Sequence, residues 1–511
     1  MMNGAECLLR TLLASDVQVC FMNPGTSEMQ FVAALDRVPG MRAVLCLFEG
    51  VCSGAADGYA RMAGRPASTL LHLGPGLANA LANFHNARKA RSPIVSIVGE
   101  HSTEHLRYDA PLSADVAAFA RAVSSDVLVL GWAKDMGRAA GEAIAAACRP
   151  PGQTAMLIVP ADFSWSDAGE PGARIDPQPR AVPDARRIGQ AADLLARAQT
   201  TGLLLSGSAL LEGGVKAAGR IAAKTGVRVF ADRNAARTAS GRGRFHPERL
   251  AYFPEKAELQ LAGLRDLLLV EAKTPVSFFG YPGRRSTIAP KDCAMHVLAS
   301  LEEDGAAALE LLADAETAPT RLEEPPALPW GGTLTLDAIG QAVSALLPEN
   351  SIICDEMVSS AEPVWPHLLR AARHDYMPLA GGAIGLGMPL GIGAAIACPD
   401  RKVLVLEADG SAMYTLQSLW TIAREHLDIV LVVFANRRYR ILDVEMRRTG
   451  ANGFGPRAGE MIDISHPELD FTELASGMGV GATRAATVDE FVQQLAAAMQ
   501  HTGPRLIEAM L

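Results

Sequence analysis

Asp409 and Asn436 have the residue types and the spacing of a divalent-cation site. Asp409 closes the apolar run KVLVLEAD (402–409), and Asn436 closes DIVLVVFAN (428–436), 27 positions later. Apolar residues at helical spacing lie between them, so the order reads strand, Asp-Gly, helix, strand, Asn. In open α/β sheets, ligands bind beyond the carboxyl ends of strands, and both residues fall there. A carboxylate and an amide oxygen are hard ligands suited to Mg²⁺, which commonly bridges one or two protein oxygens to phosphates. Gly410, followed by Ser411, lets backbone N–H groups approach a diphosphate, and the next helix would offer its positive end. An ordinary strand-end turn is the competing reading of a bare Asp-Gly.

Two further segments carry chemistry. LAGGAIGLGMPLGIGAA (379–395) gathers Gly381, Gly382, Gly385, Gly387, Gly391 and Gly393, which permits backbone approach to a ligand and tight helix packing. Glu49, in AVLCLFEGVCSGAADGYARMAG, ends one apolar run and starts a helix, with mostly apolar or small neighbours up to Ala56. Burial would raise the pKa of an acid there and let it share a proton. An exposed glutamate favoured by the helix dipole is the alternative.

Together these motifs resemble the thiamine diphosphate enzymes of the acetolactate synthase and benzoylformate decarboxylase group. That family's signature is Gly-Asp-Gly, a spacer, then Asn-Asn. Here Ala408 and Ala435 replace its first Gly and first Asn, while Asp409 and Asn436 are kept. The resemblance implies that the backbone carbonyl of Arg438 is a third metal ligand. Arg437 and Arg438 either add positive charge near the diphosphate or lie solvated. By the same resemblance Ile384, five positions before Pro389, supports a bent cofactor, and the Gly382 carbonyl accepts from its amino group. Glu49 matches the family's glutamate pattern through Gly54, Ala56, Gly58, Tyr59 and Ala60. It would bond the pyrimidine nitrogen while the cofactor makes its own ylid, the reactive species of this coenzyme.

The likeness continues in MNPGTSEMQFVAAL (22–35), close to the family's N-P-G-S/T-x-E turn, where Thr26 would face the substrate. In LLHLGPGLANALANFHNARKARSPIVSIVGE (70–100), His72 stands where the decarboxylase has a substrate-facing histidine. His101, His105, Arg107 and Asp109 follow another strand end. They either border the substrate entrance, as proton donors or carboxylate holders, or form a solvated loop. EAKTPVSFFGYPG (271–283) corresponds to a stretch that supplies the decarboxylase with a second histidine. Here it has Phe278, Phe279 and Tyr281 instead, an aromatic pocket wall. The dinucleotide pattern that goes with FAD in acetolactate synthases is absent, so no functional FAD is expected.

These residues need a frame. A chain of 511 residues is too long for one core. Apolar strands at 17–22, 42–47, 67–72, 93–98 and 155–159 alternate with helical patterns. So do those at 202–207, 227–232 and 264–272, and those at 351–356, 402–409 and 428–436. Such alternation implies α/β architecture with parallel strands covered on both faces. Pro-rich linkers at 168–184 and 314–332 divide it into three doubly wound parallel-sheet domains: 1–167, binding the pyrimidine; 185–315, central; and 333–511, binding the diphosphate.

A net charge of −9 argues against a nucleic-acid partner. No apolar run reaches about 18 residues, so no membrane span is expected. No signal peptide is evident, and the eight scattered cysteines lack C-x-x-C spacing, which fits a reducing cytoplasm. The resemblance implies a homodimer or homotetramer with active sites at the subunit interface. It also implies cleavage, and in some cases remaking, of a carbon–carbon bond in a 2-oxo acid. Acetolactate-synthase-like ligation and benzoylformate-decarboxylase-like release both remain open. So does a third role, a catalytically weak homologue serving as a partner or regulatory subunit.

Overall fold

The computed structural model describes residues 2–313, 324–451 and 453–511; the first part of the expected second linker falls outside them. Three sheets form the frame. The first contains β1 (Val19–Asn23), β2 (Arg42–Leu45), β3 (Ala67–Leu71), β4 (Ile94–Glu100), β5 (Asp126–Val129) and β6 (Thr154–Pro160). All are parallel, in the order β2-β1-β3-β4-β6-β5. The second contains β7 (Thr201–Leu205), β8 (Arg228–Ala231), β10 (Glu248–Arg249), β11 (Asp266–Val270) and β12 (Ala294–Ala299), in the order β10-β8-β7-β11-β12. The third contains β13 (Ser351–Glu356), β14 (His374–Pro378), β15 (Val403–Ala408), β16 (Ile429–Ala435), β17 (Gly481–Ala485) and β18 (Arg505–Met510). Its order is β17-β18-β16-β15-β13-β14, with β9 (Thr238–Ser240) beside β14 at the edge.

Buried strands such as β4, β6 and β16 are continuous apolar runs, as both faces are covered by helices. Several strands lack this signal, among them β10, β14 and β17. β5 is a short, half-exposed edge strand. β9 belongs to the central segment yet pairs antiparallel with β14, so the third sheet is mixed.

In each sheet the order reverses near the middle: between β1 and β3, between β7 and β11, and between β13 and β15. Such reversals open the crevices in which α/β proteins bind ligands.

The first and third units meet along helices Glu49–Ala63 and Gly387–Ala397. Glycine makes this possible. A Cβ on Gly393 would strike the Ala55 carbonyl, one on Gly58 the Leu390 carbonyl, and one on Gly54 would lie 2.6 Å from Pro389 Cβ. The helix Leu73–Ala90 completes the seam. Asn83 Nδ2 donates to the carbonyls of Gly50 (2.8 Å) and Gly385 (3.1 Å), and Asn86 Nδ2 to that of Ala383 (2.7 Å). The glycine-rich run 381–385 is therefore held in place by the first unit.

Candidate active site

Glu49 is the first residue of its helix and 7 % exposed. Each carboxylate oxygen accepts one side-chain amide, from Asn23 Nδ2 at 3.0 Å and from Asn79 Nδ2 at 2.9 Å. Asn23 ends β1, and Asn79 lies one turn beyond Gly76. A Cβ on Gly76 would sit 3.4 Å from both Glu49 Oε1 and His72 Cβ, so Gly76 marks the place where these two side chains approach.

His72 caps the helix after β3, across the crevice from the loop after β1. Its Nδ1 lies 2.9 Å from Glu28 Oε2, which also accepts the Gly25 N–H at 2.8 Å. Glu28 is 3 % exposed, and burial pushes its carboxyl up despite the neighbouring imidazole. The imidazole ring covers Gly25, where any Cβ would collide with it. A buried acid thus orients the histidine. Thr26 follows Gly25 in a 3₁₀ turn and is exposed at the mouth of this crevice.

His101 lies just past β4, its N–H donating to Glu100 at 2.8 Å. Its Nε2 is buried without a partner, and its ring lies 5.3 Å from that of His105. Among the described residues, no hydrogen bond or ring contact joins His101 to Thr26, His72 or Glu49. His105, Arg107 and Asp109 are exposed.

In the third unit, Asp409 follows β15 and Asn436 follows the adjacent β16. Asp409 is 3 % exposed; Oδ1 accepts the Gly410 N–H at 2.8 Å and Oδ2 the Arg437 N–H at 2.5 Å. Asn436 Oδ1 accepts the Arg438 N–H at 3.0 Å, and Arg437 between them adopts φ +56. Burial raises the Asp409 carboxyl against these N–H bonds, and it makes no ion pair among the described residues. A buried carboxylate beside an amide oxygen, with no cation of its own, fits a bound divalent ion.

Of the two arginines only Arg437 acts on Asp409, and it does so least of the neighbouring groups. The Arg437 guanidinium pairs with Glu468, and that of Arg438 with Asp443 at 2.6 Å. The helix expected after Asp409 is also broken: Asp409–Ala412 is a single short turn, and the next helix is Ser418–Arg424. Thr415 interrupts it by donating to the Gly385 carbonyl at 3.0 Å. Gly410 and Ser411 are buried, and the Tyr439 ring would lie 2.5 Å from a Cβ on Gly410.

Gly382 (φ +78) and Ile384, half-buried, lie in the loop pinned by the first unit. The Phe278 ring packs on Gly382, 2.6 Å from where a Cβ would be, and stacks edge-on with Phe279 at 4.9 Å. The aromatic stretch of the central unit therefore reaches the glycine-rich loop. Tyr281 turns elsewhere, bonding Glu445 at 3.0 Å.

Sequence reasoning singled out neither Glu28, Asn23 nor Asn79. Glu28 carried a signal, its spacing from Gly25 in the Asn-Pro-Gly turn; Asn79, in a helix of alanine, glycine and leucine, carried none.

Residues 2–119 match the thiamine pyrophosphate enzyme N-terminal TPP binding domain, and residues 363–509 the corresponding C-terminal TPP binding domain. A Mycobacterium tuberculosis protein with the provisional name acetolactate synthase large subunit IlvX is 48 % identical over 516 residues, covering 100 % of this chain and 99 % of its own. The benzoylformate decarboxylase of Pseudomonas aeruginosa is 28 % identical over 517 residues, covering 96 % and 95 %. A solved thiamine diphosphate-dependent 4-hydroxybenzoylformate decarboxylase from Rhodococcus jostii shares the fold, with a TM-score of 0.87 at 24 % identity and coverage of 99 % and 98 %. With both binding domains matched and a relative of this similarity along its whole length, the chain belongs to the thiamine pyrophosphate enzyme family.

Proposed function

We propose that this protein uses thiamine diphosphate and Mg²⁺ to cleave the carbon–carbon bond beside the ketone of a 2-oxo acid, releasing CO₂. The product fragment is then either freed or joined to a second carbonyl compound. The observation that carries this reading is Glu49: a buried carboxylate with one amide on each oxygen, beside an acid-oriented histidine at a switch-point crevice.

Asp409, Asn436 and the Arg438 carbonyl would hold the metal, with Gly410 and Ser411 against the diphosphate. The Gly382 carbonyl and Ile384 would support the pyrimidine end, and Glu49 would hold a proton at its ring nitrogen. When bound, the coenzyme supplies an electron sink for the carbanion left by CO₂. Thr26 and His72 would face the substrate, and His72, steadied by Glu28, would move protons at its oxygen. His101 would border the entrance. Phe278 and Phe279 would form an apolar wall that excludes water.

The family likeness supports a dimer or tetramer with the coenzyme bridging two subunits. Eight free thiols support a cytoplasmic location. Among the described residues no helix is long and apolar enough to cross a membrane.

Decarboxylation with simple release is the second reading, favoured by the His72–Glu28 pair. The test supplies purified protein with thiamine diphosphate, Mg²⁺ and a panel of 2-oxo acids, with and without acceptor aldehydes. CO₂ with hydroxyketone supports ligation, and CO₂ with aldehyde supports release. No CO₂ from any acid refutes the proposal and leaves the weak-homologue role.

A further inference from the structure

The central sheet reverses its strand order between β7 and β11. In a dinucleotide-binding fold, phosphates lie at such a reversal, against a glycine turn and a helix amino end. Both features are present. The turn after β7 is Ser206-Gly207-Ser208, with Gly207 at φ +55, and beside it begins the helix Gly305–Leu312.

Both point at a side chain of the protein itself. Glu271 follows β11 and is 1 % exposed. Its Oε1 accepts the Ser208 N–H at 3.2 Å, the Gly305 N–H at 2.9 Å and the Ser208 hydroxyl. Its Oε2 accepts Arg180 Nη1 at 2.6 Å. Two backbone amides, a hydroxyl and a guanidinium are the donor set that wraps a phosphate. A Cβ on Gly207 would collide with Oε2, so the space that glycine leaves is already filled. Glu271 is held at φ +51, a backbone conformation that persists in a non-glycine residue where surrounding contacts impose it.

The FAD of acetolactate synthases does not fit this arrangement. A cavity of about 440 Å³ opens on the turn, and Glu271 and Arg180 stand in its wall with Arg61, Lys89, Arg91 and Asp232. At the turn itself, however, a diphosphate would have to displace a buried, ion-paired carboxylate or lie against its like charge. We infer that Glu271 is a built-in substitute for a ligand phosphate, and that the central unit closes on its own carboxylate without flavin or nucleotide.

The test uses the full-length protein and E271G, chosen because the backbone at 271 suits glycine. After dialysis against FAD, and separately against ADP, the wild type is expected to retain neither. E271G is expected to melt several degrees lower and to regain a few degrees in inorganic phosphate but not in chloride of equal ionic strength. The wild type and E271Q, whose crevice stays filled, should respond to the two salts alike. Stoichiometric FAD or ADP on the wild type overturns the inference, as does an E271G that responds equally to phosphate and chloride. If E271G is recovered only as aggregate, refolding yield replaces melting: a phosphate-specific gain supports the inference and equal yields overturn it.

Discussion

Replacing Glu407 with glutamine should stabilise the protein by an amount that grows with pH. Glu356 and Glu407 are paired in register on the adjacent strands β13 and β15, and both are fully buried. Glu356 accepts three backbone N–H groups, from Gly385 and Leu386 at 2.7 Å and from Gly387 at 2.5 Å. Neither oxygen of Glu407 makes a well-formed hydrogen bond, though the Met388 N–H partly offsets its burial. Burial pushes both carboxyls up, Glu356 to about 7 with Asp355 adding repulsion, and Glu407 well above its ordinary range with Glu356 adding repulsion. Glu356, held by three N–H groups, gives up its proton first, at about 7, and Glu407 keeps its own. Because the folded-state pKa of Glu407 is raised, its contribution is fully present below the unfolded value of 4.5 and is lost as pH rises toward the folded value. The native state holds one proton that the unfolded chain releases, which costs about 1.4 kcal/mol per pH unit. Glutamine fills the same volume, can donate to Glu356 and has no proton to lose. The stability gap between E407Q and wild type should therefore widen as pH rises from 6 to 8, by at most about 1.4 kcal/mol per pH unit. Calorimetry of the cofactor-free proteins at pH 6, 7 and 8, read at the transition the substitution moves, measures it. A gap that stays constant across this range would refute the assignment of the proton to Glu407.

Three other changes test the site and the seam. E49Q should keep the coenzyme but slow hydrogen exchange at its reactive carbon by about 10²–10⁴-fold; equal exchange in variant and wild type would remove Glu49 from catalysis. Glu28 acts through His72, so E28Q and H72A should each lower kcat, while the double variant should be no worse than H72A to within about 0.5 kcal/mol. Additive losses would mean that Glu28 acts alone. G393A drives a methyl into the Ala55 carbonyl and should cost about 1–3 kcal/mol, and an unchanged melting temperature would show that the two helices do not pack as described.

What the sequence made legible was local. Apolar runs ended at Asp409 and Asn436, and strand ends in α/β sheets are where ligand residues stand. Glu49 was legible because a charged residue interrupted an apolar and small-residue context. What it hid depends on register and crossovers. That Asn23 and Asn79 grip the two oxygens of Glu49 follows from β1 and β3 being neighbours, which no local pattern records. The strand β9, three residues without an apolar run, gave no period from which to place it in the third sheet. The length of the helix after Asp409 was overread because the apolar spacing continues through 409–424, while the chain breaks to let Thr415 bond Gly385.

The hidden features share one physical cause. A buried carboxylate must be offset by partners, and the partners come from wherever the fold brings them. Glu28 takes a histidine, Glu49 two amides, Glu271 an arginine and two helix-end amides, and Glu407 a proton. Glu49 and Asp409 differ from the other three in being offset by neutral N–H donors alone, two side-chain amides for Glu49 and backbone N–H groups for Asp409. A buried carboxylate offset in this way keeps an unmet demand for positive charge or a proton. These are the two acids to which the proposed function gives the ends of the coenzyme, a ring nitrogen at Glu49 and a divalent ion at Asp409.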